Sequence, residues 1–144
     1  MFVPKRTKYR KMQKGRSLTR SFENRGTVLE YGTVGLKATE VSRITSRQIE
    51  AARRVLLRYI QKGGKIWIRV FPDKPVSKKP PEVRMGMGKG DVDHYVFQIK
   101  PGRIIYEISG IPTNKAVEAL KQASYKLPFK TKIIIKENSS ASMN

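Results

Sequence analysis

Between Met1 and Phe22 the chain carries Lys5, Arg6, Lys8, Arg10, Lys11, Lys14, Arg16 and Arg20 and no carboxylate; the first acid is Glu23. A run of like charge with few apolar residues cannot bury itself. The hydrophobic core must therefore form downstream, and residues 1–25 are expected to be a basic extended arm. The same imbalance runs through all 144 residues, where 31 Lys and Arg stand against 11 Asp and Glu for a net charge of +20. A chain of this length makes one small domain. So large a charge repels itself and attracts polyanions from a distance, which points to RNA or DNA. The arm is read as nucleic-acid-binding, with a plain solvated tail as the alternative. Tyr9 and Phe22 offer rings for stacking on bases.

Other classes fit less well. No apolar run reaches the length of a spanning helix, and the main amphipathic segment reads as core-packed, so no membrane partner is expected. Cysteine is absent, which excludes a disulfide scaffold and a thiolate metal site. Met1-Phe2-Val3-Pro4 runs straight into charge with no apolar signal region.

The globular part is assigned to residues 26–137. Thr27–Tyr31 reads as a short strand, with Gly32 and Gly35 marking the turn after it. "ITSRQIEAARRVLLRYIQKGG" reads as a helix from Ser46 to Gln61: Thr45 is an N-cap with Gln48 three residues on, Ile44 can staple onto Ile49, and Gly63-Gly64 supplies a stop. At about 100° per residue, Ile49, Ala52, Val55, Leu56, Tyr59 and Ile60 share one face and Arg47, Arg54 and Arg58 the other. Glu50 is the helix's lone acid, so this stripe is read as a binding face, against the alternative of ordinary solvated charge.

Lys65–Phe71 alternates as a half-buried strand. "PDKPVSKKPPE" reads as a loop, because proline cannot pair through a sheet centre. His94–Lys100 and Arg103–Ile108, joined by Pro101-Gly102, read as an antiparallel hairpin. A second helix is expected from Asn114 to Lys126 with Val117, Leu120, Ser124 and Leu127 near one face, followed by a strand over Thr131–Lys136 and a flexible tail over 138–144. Two helices on one side of a mainly antiparallel sheet make an α+β domain.

The loop leads into "VRMGMGKG", with Gly86, Gly88 and Gly90 beside Arg84 and Lys89. It is not a P-loop, because Lys89 is followed by glycine rather than Ser or Thr, and it is not a dinucleotide fingerprint, because the spacing is GxGxG with strand-like sequence after it. A larger polyanion is the remaining ligand, approached closely by backbone that glycine permits. Catalysis has one serious candidate: Asp91 and Asp93, near Glu82 and Lys89, as ligands for Mg²⁺ in an RNA-cleaving nuclease. Asp-x-Asp is common in turns, and the reading of these acids as solvated turn residues outweighs the metal site. His94 is the single histidine, so no conventional zinc set can form.

Four segments taken together, "PKRTKYRKMQKGR", "SRQIEAARR", "GKIWIRVFPDKP" and "EVRMGMGKG", resemble large-subunit ribosomal protein sixteen of bacteria and organelles. They stand in that family's order, and "PGRIIYEISG" and "KLPFKTK" extend the likeness over about Pro4–Lys136. The resemblance implies a hammerhead-like α+β domain without catalytic residues, cofactor or metal, in the large subunit of a bacterial, mitochondrial or plastid ribosome. Its implied partners are 23S-type rRNA, other large-subunit proteins and A-site tRNA, with P-site tRNA a second candidate. The rRNA-binding residues would be Lys5, Arg6, Lys8, Arg10, Lys11, Lys14 and Arg16 in the arm and Arg84, Gly86, Gly88, Lys89 and Gly90 in the loop. The tRNA-binding residues would be Arg53, Arg54 and Arg58.

Overall fold

The computed structural model describes residues 2–18, 21–60 and 63–137. The tail assigned to 138–144, and Gln61 at the expected helix end, lie outside them. Nine elements follow in chain order: β1 (Val34–Ala38), β2 (Ser42–Thr45), α1 (Ser46–Tyr59), β3 (Lys65–Ile68), β4 (Lys74–Ser77), β5 (Val92–Ile99), β6 (Ile104–Ser109), α2 (Thr113–Ser124) and β7 (Thr131–Ile135). They form two sheets, β3-β6-β1-β7 and β2-β5-β4, antiparallel throughout. The α+β class stands, but with two sheets where a single one was expected. The central strands β1 and β6 are buried almost end to end, α2 packs on β1 and β7, and α1 packs on α2.

Helix α1 starts where its sequence says. Thr45 accepts from the Gln48 N–H while Gln48 returns the bond to the Thr45 N–H, and Ile44 and Ile49 are both fully buried. Helix α2 exists where expected but turns a different face inward. Ala116, Ala119, Leu120 and Ala123 are buried, whereas Val117, Ser124 and Leu127 are only half-buried. Small side chains pack closely, so an alanine stripe with Leu120, not the larger residues, makes the buried face of α2.

Three other expectations change. Thr27–Tyr31 is not a strand; the backbone N–H groups of Glu30, Tyr31 and Gly32 turn to the Glu107 carboxylate on β6 instead of a neighbouring strand. Gly35 is not a turn residue but part of β1, opposite Glu107, where a Cβ would strike the Leu29 side chain. Its missing side chain is what lets Leu29 lie buried on that face of the sheet. Lys74–Ser77, expected to be loop, pairs with β5 as an edge strand, a position that tolerates Pro75 because one side of the strand needs no N–H donor.

The expected hairpin is also absent. Its turn is present, with the Arg103 N–H on the Lys100 carbonyl and Gly102 at φ 98°, but β5 and β6 belong to different sheets. Ala38 takes the Gly102 N–H and gives its own to Arg103, and Gly26 takes that of Ile104, so the groups at the start of β6 are bonded to the N-terminal half of the chain and not to β5.

Tyr106 ties the sheet to α1. It is fully buried, and its hydroxyl donates to the Ile49 carbonyl at 2.7 Å. Burial, and then the charge of Glu50, push its pKa upward, so it stays a donor. Tyr106→Phe is expected to lower unfolding free energy by about 1 kcal/mol in urea titration, the net worth of one such bond.

Candidate nucleic-acid interface

The glycine segment is the tip of the β4–β5 hairpin. Lys78 donates its N–H to the Asp91 carbonyl at the neck, and Gly90 fits there because a Cβ would meet the Lys78–Lys79 backbone. Gly86, Met87 and Gly88 have φ of 98°, 61° and 90°, a left-handed stretch that glycine adopts freely and methionine rarely. Nothing lies within 4 Å of a Cβ built on Gly86 or Gly88. The two glycines therefore serve the backbone path and close approach from outside, while Gly90 serves the neck. Lys79 Nζ holds the Gly86 carbonyl, and Arg84 and Lys89 are exposed. Met85 and Met87 are about 100 % and 105 % exposed, an apolar tip with no protein partner.

Residues 2–18 hold no helix or strand and lie against this hairpin. Lys11 Nζ donates to the Lys89 carbonyl at 3.1 Å, Arg10 and Lys11 reach Asp91 at 3.6 and 3.5 Å, and Arg43 of β2 donates to the carbonyls of Lys14 and Gly15. Of the arm residues singled out in the sequence, Lys5, Arg6, Lys8, Arg10, Lys14 and Arg16 are exposed and Lys11 is half-buried. Phe2 packs edge-on against Phe71 and onto the core.

On α1, Arg47, Arg54 and Arg58 are exposed, on the face opposite Ile49, Ala52 and Leu56. Glu50 grips Arg53 with both oxygens, at 2.8 and 2.6 Å, and touches Arg54 at 3.3 Å. The Arg53 bond is the main force holding the Glu50 carboxyl down to about 2, with burial opposing it and Arg54 assisting. Arg53 is thereby half-buried and occupied, Arg54 partly tethered, and Arg58 the more available charge.

Arg58 opens onto an element invisible in the local sequence. A groove of about 520 Å³ is lined by Val55, Arg58 and Tyr59 of α1 and by Gln122, Tyr125 and Lys126 at the end of α2. Tyr125 is 68 % exposed and so offers a ring beside two cations. Sequence reading missed this groove because it depends on how α1 meets α2. It also missed the basic face of the smaller sheet, where Arg43, Lys74 and Lys78 gather although they lie in three separate sequence segments.

The acids proposed for Mg²⁺ are engaged otherwise: Asp91 with Arg10 and Lys11, Asp93 with His94 at 2.8 Å. Among the described residues no three His, Cys, Asp or Glu side chains converge to hold a metal ion, and no helix is long and apolar enough to cross a membrane. The sequence model of the family described as ribosomal protein L16p/L10e matches residues 4–134. The chain belongs to that family. It is a structural, non-catalytic protein of the large ribosomal subunit, in a cytoplasmic or organellar ribosome, and it works in translation as an RNA-binding component beside rRNA and other large-subunit proteins. Membership in the L16p/L10e family also overturns the nuclease alternative for Asp91 and Asp93.

Proposed function

We propose that the protein divides its positive charge between two RNAs. The N-terminal segment 1–25 and the hairpin tip, through Lys5, Arg6, Lys8, Arg10, Lys11, Lys14, Arg16, Arg84, Gly86, Gly88, Lys89 and Gly90, seat it on 23S-type rRNA. The outer face of α1, through Arg54 and Arg58 with Arg53 as a buttress, contacts A-site tRNA, and P-site tRNA is the second candidate. The observation that carries the reading is the bond from Lys11 to the Lys89 carbonyl, which makes one basic surface of two segments 78 residues apart. The deep, narrow major groove of A-form RNA hides its base edges, so such a surface recognises mainly shape, phosphates and 2′-hydroxyls. Arg84 supplies a planar donor fork and Lys89 a point charge.

The test is the double variant Arg54→Ala and Arg58→Ala. Ala is a good helix former, so the melting temperature should hold within a few degrees, while A-site tRNA binding on subunits carrying the variant falls roughly tenfold or more. Full tRNA binding on subunits shown to contain the variant rejects the assignment of α1. Arg84→Ala should instead weaken docking on rRNA.

A further inference from the structure

The smaller sheet has two unlike faces. Ile44 and Ile99 turn into the core. On the other face the register aligns Arg43 with Gln98, Lys74 with Val96, and Val76 with His94. Strand alternation alone would turn Ser77 away from that face. The register shift between Val76 and Ser77 sets Ser77 opposite Val92, two residues from His94, and so returns it to the side of Lys74 and Val76. Residues Met12 to Gly15 cover the face, held by Arg43 and, at 3.4 Å, by Lys74.

Between cover and sheet lies a cavity of about 170 Å³. Lys14, Arg43, Lys74, Lys78, Lys89 and His94 line it together with Ser77, and no carboxylate does. Asp93 serves His94, with Lys78 near enough to act on it, and Asp91 serves Arg10 and Lys11, so neither pairs with Arg43 or Lys74. Arg43 Nε and Ser77 Oγ, both in lining residues, are buried without a hydrogen-bond partner. Unpaired buried donors are rare, because each forfeits its bonds to water. Burial, and then the charge of Arg43, lower the Lys74 pKa, as expected for cations gathered without a counter-ion. The cavity exceeds the ~30 Å³ share of a water several-fold yet falls short of the roughly 300 Å³ at which small-molecule sites begin. A nucleoside does not fit; a single tetrahedral oxyanion does.

We propose that this cavity is a phosphate site, filled by one phosphodiester of the rRNA backbone, with Arg43 Nε–H, the Ser77 hydroxyl and the Lys74 ammonium as its donors. The inference rests on the rRNA-binding reading and adds to it a built, partly enclosed anchor on the smaller sheet, roofed by the arm at Met12–Gly15 and bordered by Lys89 of the hairpin tip. Charge-assisted bonds of this kind are the stronger ones. The phosphate also supplies a counter-charge beside Arg43 and Lys74.

Two probes test it on the full chain. With a large-subunit rRNA fragment, Ser77→Ala should weaken binding roughly tenfold without changing the slope of log affinity against log salt, because it removes a donor and no charge. Lys74→Met should weaken binding and reduce that slope by about 0.7 to 0.9, one phosphate's share. With inorganic phosphate alone, NMR signals of Ser77 and Lys74 should shift saturably in the parent and far less in Lys74→Met. Parent-like rRNA affinity in Ser77→Ala, together with signals that phosphate leaves unmoved, overturns the site. Should Lys74→Met fail to fold, Ser77→Ala and the phosphate titration decide alone, since losing one hydroxyl leaves the strand intact. If the signals respond to phosphate but the parent does not bind rRNA, the rRNA reading fails and the oxyanion site stands.

Discussion

Raising salt from about 50 to 200 mM is expected to weaken binding of the protein to a large-subunit rRNA fragment by roughly 10³- to 10⁵-fold if six to ten phosphates are neutralised. Each neutralised phosphate releases condensed counter-ions, and log affinity falls with log salt by about 0.7 to 0.9 per phosphate. The charge available is ample: a net +20, with Lys5, Arg6, Lys8, Arg10, Lys14 and Arg16 exposed along one segment and Arg84 and Lys89 exposed on the hairpin it touches. Equilibrium titration across a salt series reads the slope directly. Removing the segment 1–20 should flatten it by several phosphates' worth and also expose the core surface that Phe2 covers, so the truncated protein should melt somewhat lower while still unfolding cooperatively. A salt-independent affinity would sink the electrostatic account of the whole surface.

Replacing Glu107 with alanine is expected to remove about 3–5 kcal/mol of folding stability, the usual result of breaking a buried ion pair from one side. Glu107 is 0 % exposed on β6. It accepts from Gly32 at 2.7 Å, Tyr31 at 2.8 Å and more weakly Glu30 at 3.4 Å, and it pairs with Arg69, whose guanidinium also lies over the Tyr31 ring. One carboxylate thus pins the 30–32 segment, β6 and the end of β3 together. Alanine leaves those N–H groups and a largely buried guanidinium without their main acceptor. Burial works to raise the Glu107 pKa, but the Gly32 N–H, Arg69 and then the Tyr31 and Glu30 N–H groups outweigh it, so the carboxyl titrates below its ordinary range. A folded-state pKa below the unfolded one gives stability that is complete above about pH 4.3 and is lost as pH falls through the folded value. Urea unfolding of parent and Glu107→Ala at pH 7 and near pH 3 should show the difference between them shrinking in acid. A variant as stable as the parent at pH 7 would show that the network contributes nothing.

Legibility in the sequence followed the range of the interactions concerned. Helix α1 was readable to its first residue, because a capping box and a staple act within one turn, and the opposed faces of Ile49 and Arg54 follow from helical spacing alone. The inward face of α2 was misjudged, since weighting large apolar side chains favours Val117 and Leu127 while close packing in the core favours Ala116, Ala119 and Ala123. The residues between Gly26 and Val34 were misread for another reason. Leu29 and Tyr31 look like strand residues, but a carboxylate 76 positions after Tyr31 takes their segment's donors. The site shows the same division. The basic N-terminal segment and the hairpin tip are proposed from charge and glycine alone, whereas the groove of Arg58 and Tyr125 and the cavity of Arg43, Lys74 and Ser77 have no signal in the local sequence.

By itself the sequence determined that the partner is a polyanion, that a basic segment precedes the core, that α1 has one apolar and one cationic face, and through its ordered motifs the family. Net charge sums over residues wherever they lie, and caps and helical faces depend on neighbours within a few positions, so both survive without knowledge of the fold. Only the tertiary structure decided that β5 and β6 part into different sheets, that Glu107 is spent on the 30–32 backbone, and that a bulge brings Ser77 beside Arg43 and Lys74. Each of those outcomes is a competition for one backbone or side-chain donor among groups tens of residues apart, and packing of the whole chain settles the winner.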